Sequence, residues 1–321
     1  MKQTNFFLHI SKIILFSGIL VATASARAEL KVVTTIKPLH SLISNVMDGV
    51  GEPGLIIDGS ISPHSFTMKP SHAKMLEEAD VIFWIGEGIE TSMEEPLDSI
   101  AKDAEVIEFM ELDSIAKLKF REESIFGDHD DHDDHDDHDD HDDHSGHDDH
   151  GHAHGEFDAH IWLDPMNAKE MVHEIAHELS DLDPANKDKY EANAQATIQA
   201  LDQLVKDIEK EINKDAKFVV FHDAYQYFEE RFETRAAGAL TLNTDVLPGA
   251  KQIADIQDVI KDRGIKCIFS EPQFNPKIIT TIAEDMNIKT GVFDPLGANI
   301  DAGKSLYFTL ISNLGDELKG C

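Results

Sequence analysis

The sequence predicts an α/β protein in which two parallel-sheet lobes, joined by helices, enclose a cleft. Apolar runs typical of buried strands alternate with amphipathic stretches of helical spacing, which is the pattern of parallel sheets. This alternation occurs twice, before and after a long stretch that has helical spacing alone. The length of 321 residues, 41% of them hydrophobic, suffices for about two domains of ~150 residues with substantial cores.

The N-terminal half predicts the first sheet. Residues 31–36 predict a strand, and the apolar spacing after Pro38 predicts a short helix that ends near Gly49. A second helix begins at Pro70. The remaining predicted strands are 54–57, 81–86 and 106–109.

Two long helical stretches follow, over 167–182 and 184–213, and neither contains a strand-like run. The alternation then resumes with strands predicted at 218–221, 239–242, 267–270 and 291–293, and helices at 225–232, 250–261 and 276–286. The chain is therefore expected to have an N-terminal lobe over 29–165, linking helices over 166–213 and a C-terminal lobe over 214–321.

Residues 1–28 predict a secretory signal peptide. Lys2 and Lys12 precede an apolar run over 13–22, and small-residue cleavage patterns follow as far as Ala28. A membrane anchor is the alternative, but this run is much shorter than the ~20 residues that cross a bilayer. We therefore expect export to the periplasm.

The two cysteines are expected to pair. Cys267 and Cys321 are the only cysteines of the chain, and in an exported protein they most economically form one disulfide. A zinc-binding cysteine pair is the alternative, but such a pair lacks nearby partners in the sequence.

Acidic residues dominate the composition. There are 62 Asp and Glu residues against 28 Lys and Arg residues, which gives a formal net charge of −34. A chain with this charge repels phosphate backbones, so nucleic-acid binding is not expected.

A disordered loop is predicted over 127–155, where Asp-Asp-His repeats with a period of three and Ala153 is the only apolar residue. A solvated filler is one interpretation. Weak binding of several metal ions is the other, because imidazole binds borderline metals and the surrounding carboxylates concentrate cations. The accessory ligands would be His129, His132, His135, His138, His141, His144, His147, His150, His152 and His154.

Three other histidines lie where a two-lobed α/β protein binds ligands, in predicted loops near strand ends. His64 follows Pro63 in SPHSF, His160 lies in DAHIWLDP, and His222 follows the buried strand in KFVVFHDAYQ. A single loop histidine is more often solvated than ligating, so the argument depends on the three together.

Several longer motifs resemble one known family. SPHSFTMKPSHAKMLEEADVIFWIG, DAHIWLDPMNA, FHDAYQYFEERF, IFSEPQFNP and FDPLGANI are similar, in this order, to the periplasmic zinc-binding components of ABC importers, the ZnuA type. The resemblance runs from about Lys31 to Cys321 and fails only in the His-rich loop. It implies a zinc carrier, not an enzyme, whose partners are a membrane permease and its ATPase, and we expect a monomer.

The resemblance also implies the ligands of the metal. His64 and His160 would come from the N-terminal lobe and His222 from the C-terminal lobe. The fourth position would be Asp294 or water, because Pro63 stands where some relatives have a carboxylate. Similar manganese importers carry a carboxylate at the position of His222, so three imidazoles favour Zn²⁺ over manganese. Metal buffering without transport is a further alternative.

A zinc metalloprotease is the alternative from another class. His173-Glu174-Ile175-Ala176-His177 matches HExxH, in which two helical histidines hold zinc beside a general-base glutamate. The apolar stripe of this helix, however, would place both histidines on the solvent side. The third histidine of one protease class is also missing, since Asp183 stands in its place.

Overall fold

The computed structural model describes residues 30–127, 156–242, 244 and 248–321. The predicted signal peptide and the histidines predicted as accessory ligands lie outside these ranges, and the statements about them stay predictions.

The N-terminal lobe contains a four-stranded parallel sheet in the order β2-β1-β3-β4. Its helices flank this sheet, and two of them, α3 and α4, are short elements that the sequence pattern does not predict. The strands are β1 (Val32–Ile36), β2 (Gly54–Ile57), β3 (Val81–Trp84) and β4 (Glu105–Glu108). The helices are α1 (Lys37–Val46), α2 (Pro70–Glu77), α3 (Glu87–Glu90) and α4 (Glu94–Ile100).

Two long helices, α5 (Pro165–Leu182) and α6 (Lys187–Glu211), connect the two sheets and pack against each other. The Asp164 side chain accepts a hydrogen bond from the Met166 backbone N–H and so caps α5. With 25 residues, α6 is about 38 Å long. Among the helices of the described part of the chain, none is long and apolar enough to cross a membrane.

The C-terminal lobe repeats the arrangement of the first. Its parallel sheet has the order β6-β5-β7-β8, so the predicted α/β class with two parallel sheets is confirmed. The strands are β5 (Phe218–His222), β6 (Ala239–Thr241), β7 (Cys267–Ser270) and β8 (Lys289–Val292). The helices are α7 (Gln226–Phe232), α8 (Ala250–Asp262), α9 (Lys277–Met286) and the unpredicted α10 (Leu306–Lys319).

One apolar core extends across both lobes. Helix α1 of the first lobe packs against α5, α6 and α10, and a single buried cluster includes Ile36 of β1, Phe218 of β5 and Leu310 of α10. A second, smaller cluster lies in the C-terminal lobe and includes Val219 and Ile256. Because the larger core is shared, the lobes cannot separate without exposing apolar surface.

The residues on either side of the predicted His-rich loop pair with each other through an antiparallel bridge between Lys119 and Phe157. The chain before the loop then runs along the C-terminal sheet, where Ser124 accepts a hydrogen bond from the Ala239 N–H (2.8 Å) and Ile125 bridges Gly238. The loop therefore begins beside the C-terminal lobe.

Cys267 and Cys321 form the predicted disulfide, with their Cα atoms 5.7 Å apart. Cys267 begins β7, and Cys321 follows α10. The bond ties the last helix to the central part of the second sheet.

Candidate metal centre

The structure brings together the three histidines predicted as ligands. Potential ligand atoms of His64, His160 and His222 all lie within 4.8 Å of one another. His160 and His222 are buried and His64 is half-buried. The Nε2 atoms of His160 and His222 are 3.3 Å apart.

Three different backbone elements present these side chains. His64 lies in a 3₁₀ turn, Pro63–Ser65, that begins at its proline. His160 directly precedes a second 3₁₀ turn, Ile161–Leu163, which leads into α5. His222 is the last residue of β5, at the carboxyl end of a central strand, where open α/β sheets bind ligands.

Buried carboxylates orient two of the rings. The His160 Nδ1 lies 2.7 Å from Asp158 Oδ1, and the His222 Nδ1 lies 2.7 Å from Glu271 Oε1. A carboxylate accepts, so in neutral rings each Nδ1 carries the proton and each Nε2 keeps its lone pair. Two lone pairs thus face the same small space, which favours a cation between them.

The distance between the two Nε2 atoms fits zinc. Zinc binds histidine nitrogen at about 2.0–2.1 Å in tetrahedral geometry, which places two ligand nitrogens about 3.3–3.4 Å apart. The separation of 3.3 Å between His160 and His222 agrees with this value. The rings are therefore already spaced for one tetrahedral ion.

The two supporting carboxylates are themselves held in place. Asp158 also accepts a hydrogen bond from Gln226 Nε2 (2.8 Å), and its backbone carbonyl accepts one from the Tyr227 hydroxyl (2.6 Å). Glu271 is 3% exposed. Burial by itself would lower the pKa of His222, but the Glu271 carboxylate outweighs this effect and raises that pKa. The same interaction makes the ring a stronger metal ligand.

These carboxylates were not predicted from the sequence. For Asp158 a signal exists, because it lies two residues before His160 in DAHIW. For Glu271 the signal is its place directly after β7 in IFSEPQ, next to the strand that ends in His222.

The Arg121 guanidinium offsets part of the negative charge of the carboxylates near the three histidines. Arg121 binds Asp223, the neighbour of His222, and Glu229, with N–O distances of 2.8 and 2.6 Å. Burial raises the pKa of Asp223 to about 7, and Arg121 opposes that rise. Arg121 belongs to the segment that precedes the His-rich loop, so this segment stabilises the neighbourhood of the site.

The space beside the histidines suits a single ion. It has a volume of about 10 Å³, close to the minimum that one water molecule needs. The lining residues are Ser62, Pro63, His64, His160, Trp162, His222, Glu271, Gln273, Phe274, Pro295 and Leu296.

Asp294, the predicted protein candidate for a fourth ligand, is not part of the three-histidine group. Its carboxylate accepts backbone N–H bonds from Leu296 (3.1 Å), Gly297 (3.0 Å) and Ala298 (2.6 Å), and a further bond from Gln273 Nε2 (3.1 Å). A metal bond from Asp294 would compete with these contacts, and its role as a ligand stays a prediction.

A buried lysine holds the same loop from the opposite lobe. Lys37, at the start of α1, is 4% exposed, and its Nζ donates to the backbone carbonyls of Gly297 (2.7 Å), Ala298 (3.3 Å) and Ile300 (2.6 Å). The loop after β8 is therefore fixed by Asp294 within its own lobe and by Lys37 across the cleft.

Replacing Lys37 by Met should destabilise the fold by about 1–3 kcal/mol, because buried carbonyl groups would lose their donor. Urea unfolding of the two proteins measures the difference. Lys304→Met is the matched control, since the exposed Lys304 ammonium also bridges the lobes by binding Asp48 at the surface, where an ion pair contributes little to stability. Equal losses in the two variants would contradict a special role for Lys37.

The two histidines of the HExxH motif lie on the solvent side of α5, as the helical pattern predicts. His173 and His177 are exposed on α5, and Met171, Val172 and Ile175 of the same helix are buried. Within residues 30–127 and 156–321, apart from the few positions not described, the only group of three or more potential metal ligands is the cleft group. The motif thus lacks the third ligand of a protease site there.

Comparison with known proteins gives the family. The sequence model of the ZnuA family, described as zinc-uptake complex component A, periplasmic, matches residues 32–321. The chain belongs to the ZnuA family. A high-affinity zinc uptake system protein ZnuA from Brucella abortus is 48% identical over 303 residues, which cover 90% of this chain and 91% of that protein.

Solved structures show the same fold as this ZnuA family member. The periplasmic zinc-binding protein TroA from Treponema pallidum has a TM-score of 0.73 at 21% identity, covering 91% of this chain and 98% of that one. FpvC from Pseudomonas aeruginosa, solved in complex with Mn²⁺, has a TM-score of 0.73 at 22% identity with the same coverage. The fold alone therefore does not select the metal.

Proposed function

We propose that this chain captures one Zn²⁺ ion with high affinity in the periplasm and delivers it to the membrane permease of an ABC importer, which works with an ATPase. The observation that carries the proposal is the pair of Nε2 atoms of His160 and His222, 3.3 Å apart, with His64 beside them. Membership of the ZnuA family supports the route of delivery.

Zinc is the proposed cargo because of the ligand type. Three imidazole nitrogens suit a borderline ion, whereas manganese favours oxygen ligands. The nearest carboxylates, Asp158 and Glu271, face the Nδ1 atoms of the rings and act as their hydrogen-bond acceptors. Water or Asp294 completes the coordination in this proposal.

The proposed organisation keeps the predicted divisions, with lobes over 29–165 and 214–321 and linking helices over 166–213, in a monomer. The His-rich loop acts as an accessory store of weakly bound zinc through the histidines between His129 and His154. Its base lies beside the C-terminal lobe, near the segment that contains Arg121.

The decisive experiment is zinc titration of the full chain and of a variant without residues 128–154, by calorimetry with a competing chelator. Both proteins should bind one ion tightly, and the variant should lose the weak sites of the loop, because the tight site is built from residues outside the loop. Loss of the tight site in the variant would contradict the cleft assignment. An equal affinity for manganese would contradict zinc as the cargo.

Transport is distinguished from metal buffering by growth of cells in zinc-depleted medium. If the chain serves uptake, deletion of its gene should impair growth there and added zinc should restore it. Unimpaired zinc uptake in the deleted strain would favour buffering.

Replacing Glu271 by Gln should weaken zinc binding by about 10–100-fold, the usual effect of changing the group that orients a metal-bound histidine. The amide keeps the size of the side chain but removes the charge that raises the pKa of His222. Competition with a chromophoric chelator measures the change. Glu284→Gln, on the exposed face of α9, is the control and should bind like the original protein.

A further inference from the structure

The HExxH motif has no part in the cleft site, yet its two histidines meet the geometric requirement of a chelating pair. His173 and His177 are four residues apart in α5, so their side chains lie one turn apart on the same face of the helix. Both are exposed to solvent. Two imidazoles in this relation can bind one metal ion together.

A groove between α5 and α6 lies directly at this pair. It has a volume of about 320 Å³ and is therefore large enough for a hydrated ion. Small side chains, Ala176, Ser180 and Ala194, line it between the helices. On the α6 side it is lined by Lys187, Glu191 and Gln195.

The charges around the pair favour a cation. The Asp181 carboxylate lies 3.7 Å from His177 Nδ1 and adds negative charge beside the pair. In the groove, Glu191 lies 3.6 Å from the Lys187 ammonium and offsets its positive charge.

We propose that His173 and His177 form a second metal site, which binds one divalent transition-metal ion such as Zn²⁺ or Cu²⁺ through both imidazoles, with water completing the coordination. Two protein ligands and free access of solvent make this site weaker than the cleft. The site is open at the surface and exchanges its ion without any movement of the lobes. It does not depend on the function proposed for the cleft.

Footprinting of the full chain with diethyl pyrocarbonate, read by mass spectrometry at each histidine, tests the proposal. Zinc added in excess of what the cleft site and the His-rich loop bind should slow modification of His177 several-fold. In His173→Gln this protection should be lost, because a single imidazole binds zinc poorly. Magnesium should give no protection, since it prefers oxygen ligands.

Two controls separate chelation from a structural effect. Without metal, His177 should react at the same rate in the original chain and in His173→Gln. Tight zinc binding, measured by competition with a chelator, should be equal in both proteins, so failure of the cleft proposal would show as loss of the tight site in both. Unprotected His177 in the original chain, or protection that persists in His173→Gln, would overturn the second site.

Discussion

Replacing His222 by Ala is expected to weaken zinc binding by more than about 100-fold. Changing a group that only orients a metal ligand already lowers metal affinity by about 10–100-fold. The substitution removes one of three nitrogen ligands. It also leaves the Glu271 carboxylate, which accepts the His222 Nδ1–H at 2.7 Å, buried without this partner. The remaining pair, His64 and His160, would then share its site with additional water.

Competition with a high-affinity chelator measures this loss, because the tight site saturates before the weaker ones. His173→Ala is the matched control: it removes an exposed histidine and should leave the tight site unchanged. Circular dichroism of the metal-free proteins separates loss of a ligand from loss of the fold. Tight binding by His222→Ala, or its loss in His173→Ala, would contradict the assignment of the cleft.

Breaking the disulfide between Cys267 and Cys321 is expected to lower the free energy of unfolding by about 4 kcal/mol, the chain-entropy value for a loop with a sequence separation of 54. The bond ties α10 to β7, and α10 packs on α1 and α6. Since neither cysteine belongs to the three-histidine group, zinc affinity should change little.

Urea unfolding of the protein with and without a reductant measures the effect. A variant with both Cys267→Ser and Cys321→Ser is the control, and its stability should not respond to the reductant. Equal stability of oxidised and reduced protein would show that the bond does not contribute, and a large loss of zinc affinity on reduction would show that it also shapes the cleft.

Much of the fold could be predicted because it depends on short-range patterns. Apolar runs such as that of β5 and the helical spacing of α5 report burial directly, and the structure confirms both. The helix α10 also carries a signal in its sequence, since its buried residues follow helical spacing: Leu306, Leu310, Ile311, Leu314 and Leu318. The helices α3 and α4 are too short for a clear period.

The sequence by itself determined the type of chemistry: imidazole ligands at three predicted loops, two cysteines able to pair, and an exposed HExxH helix. Only the tertiary structure decided which groups meet. Glu271 is 49 residues from His222, and Lys37 is about 260 residues from the carbonyls that it binds. Periodicity describes only neighbours within a few residues, whereas hydrogen bonds between distant segments depend on how the sheets and helices pack.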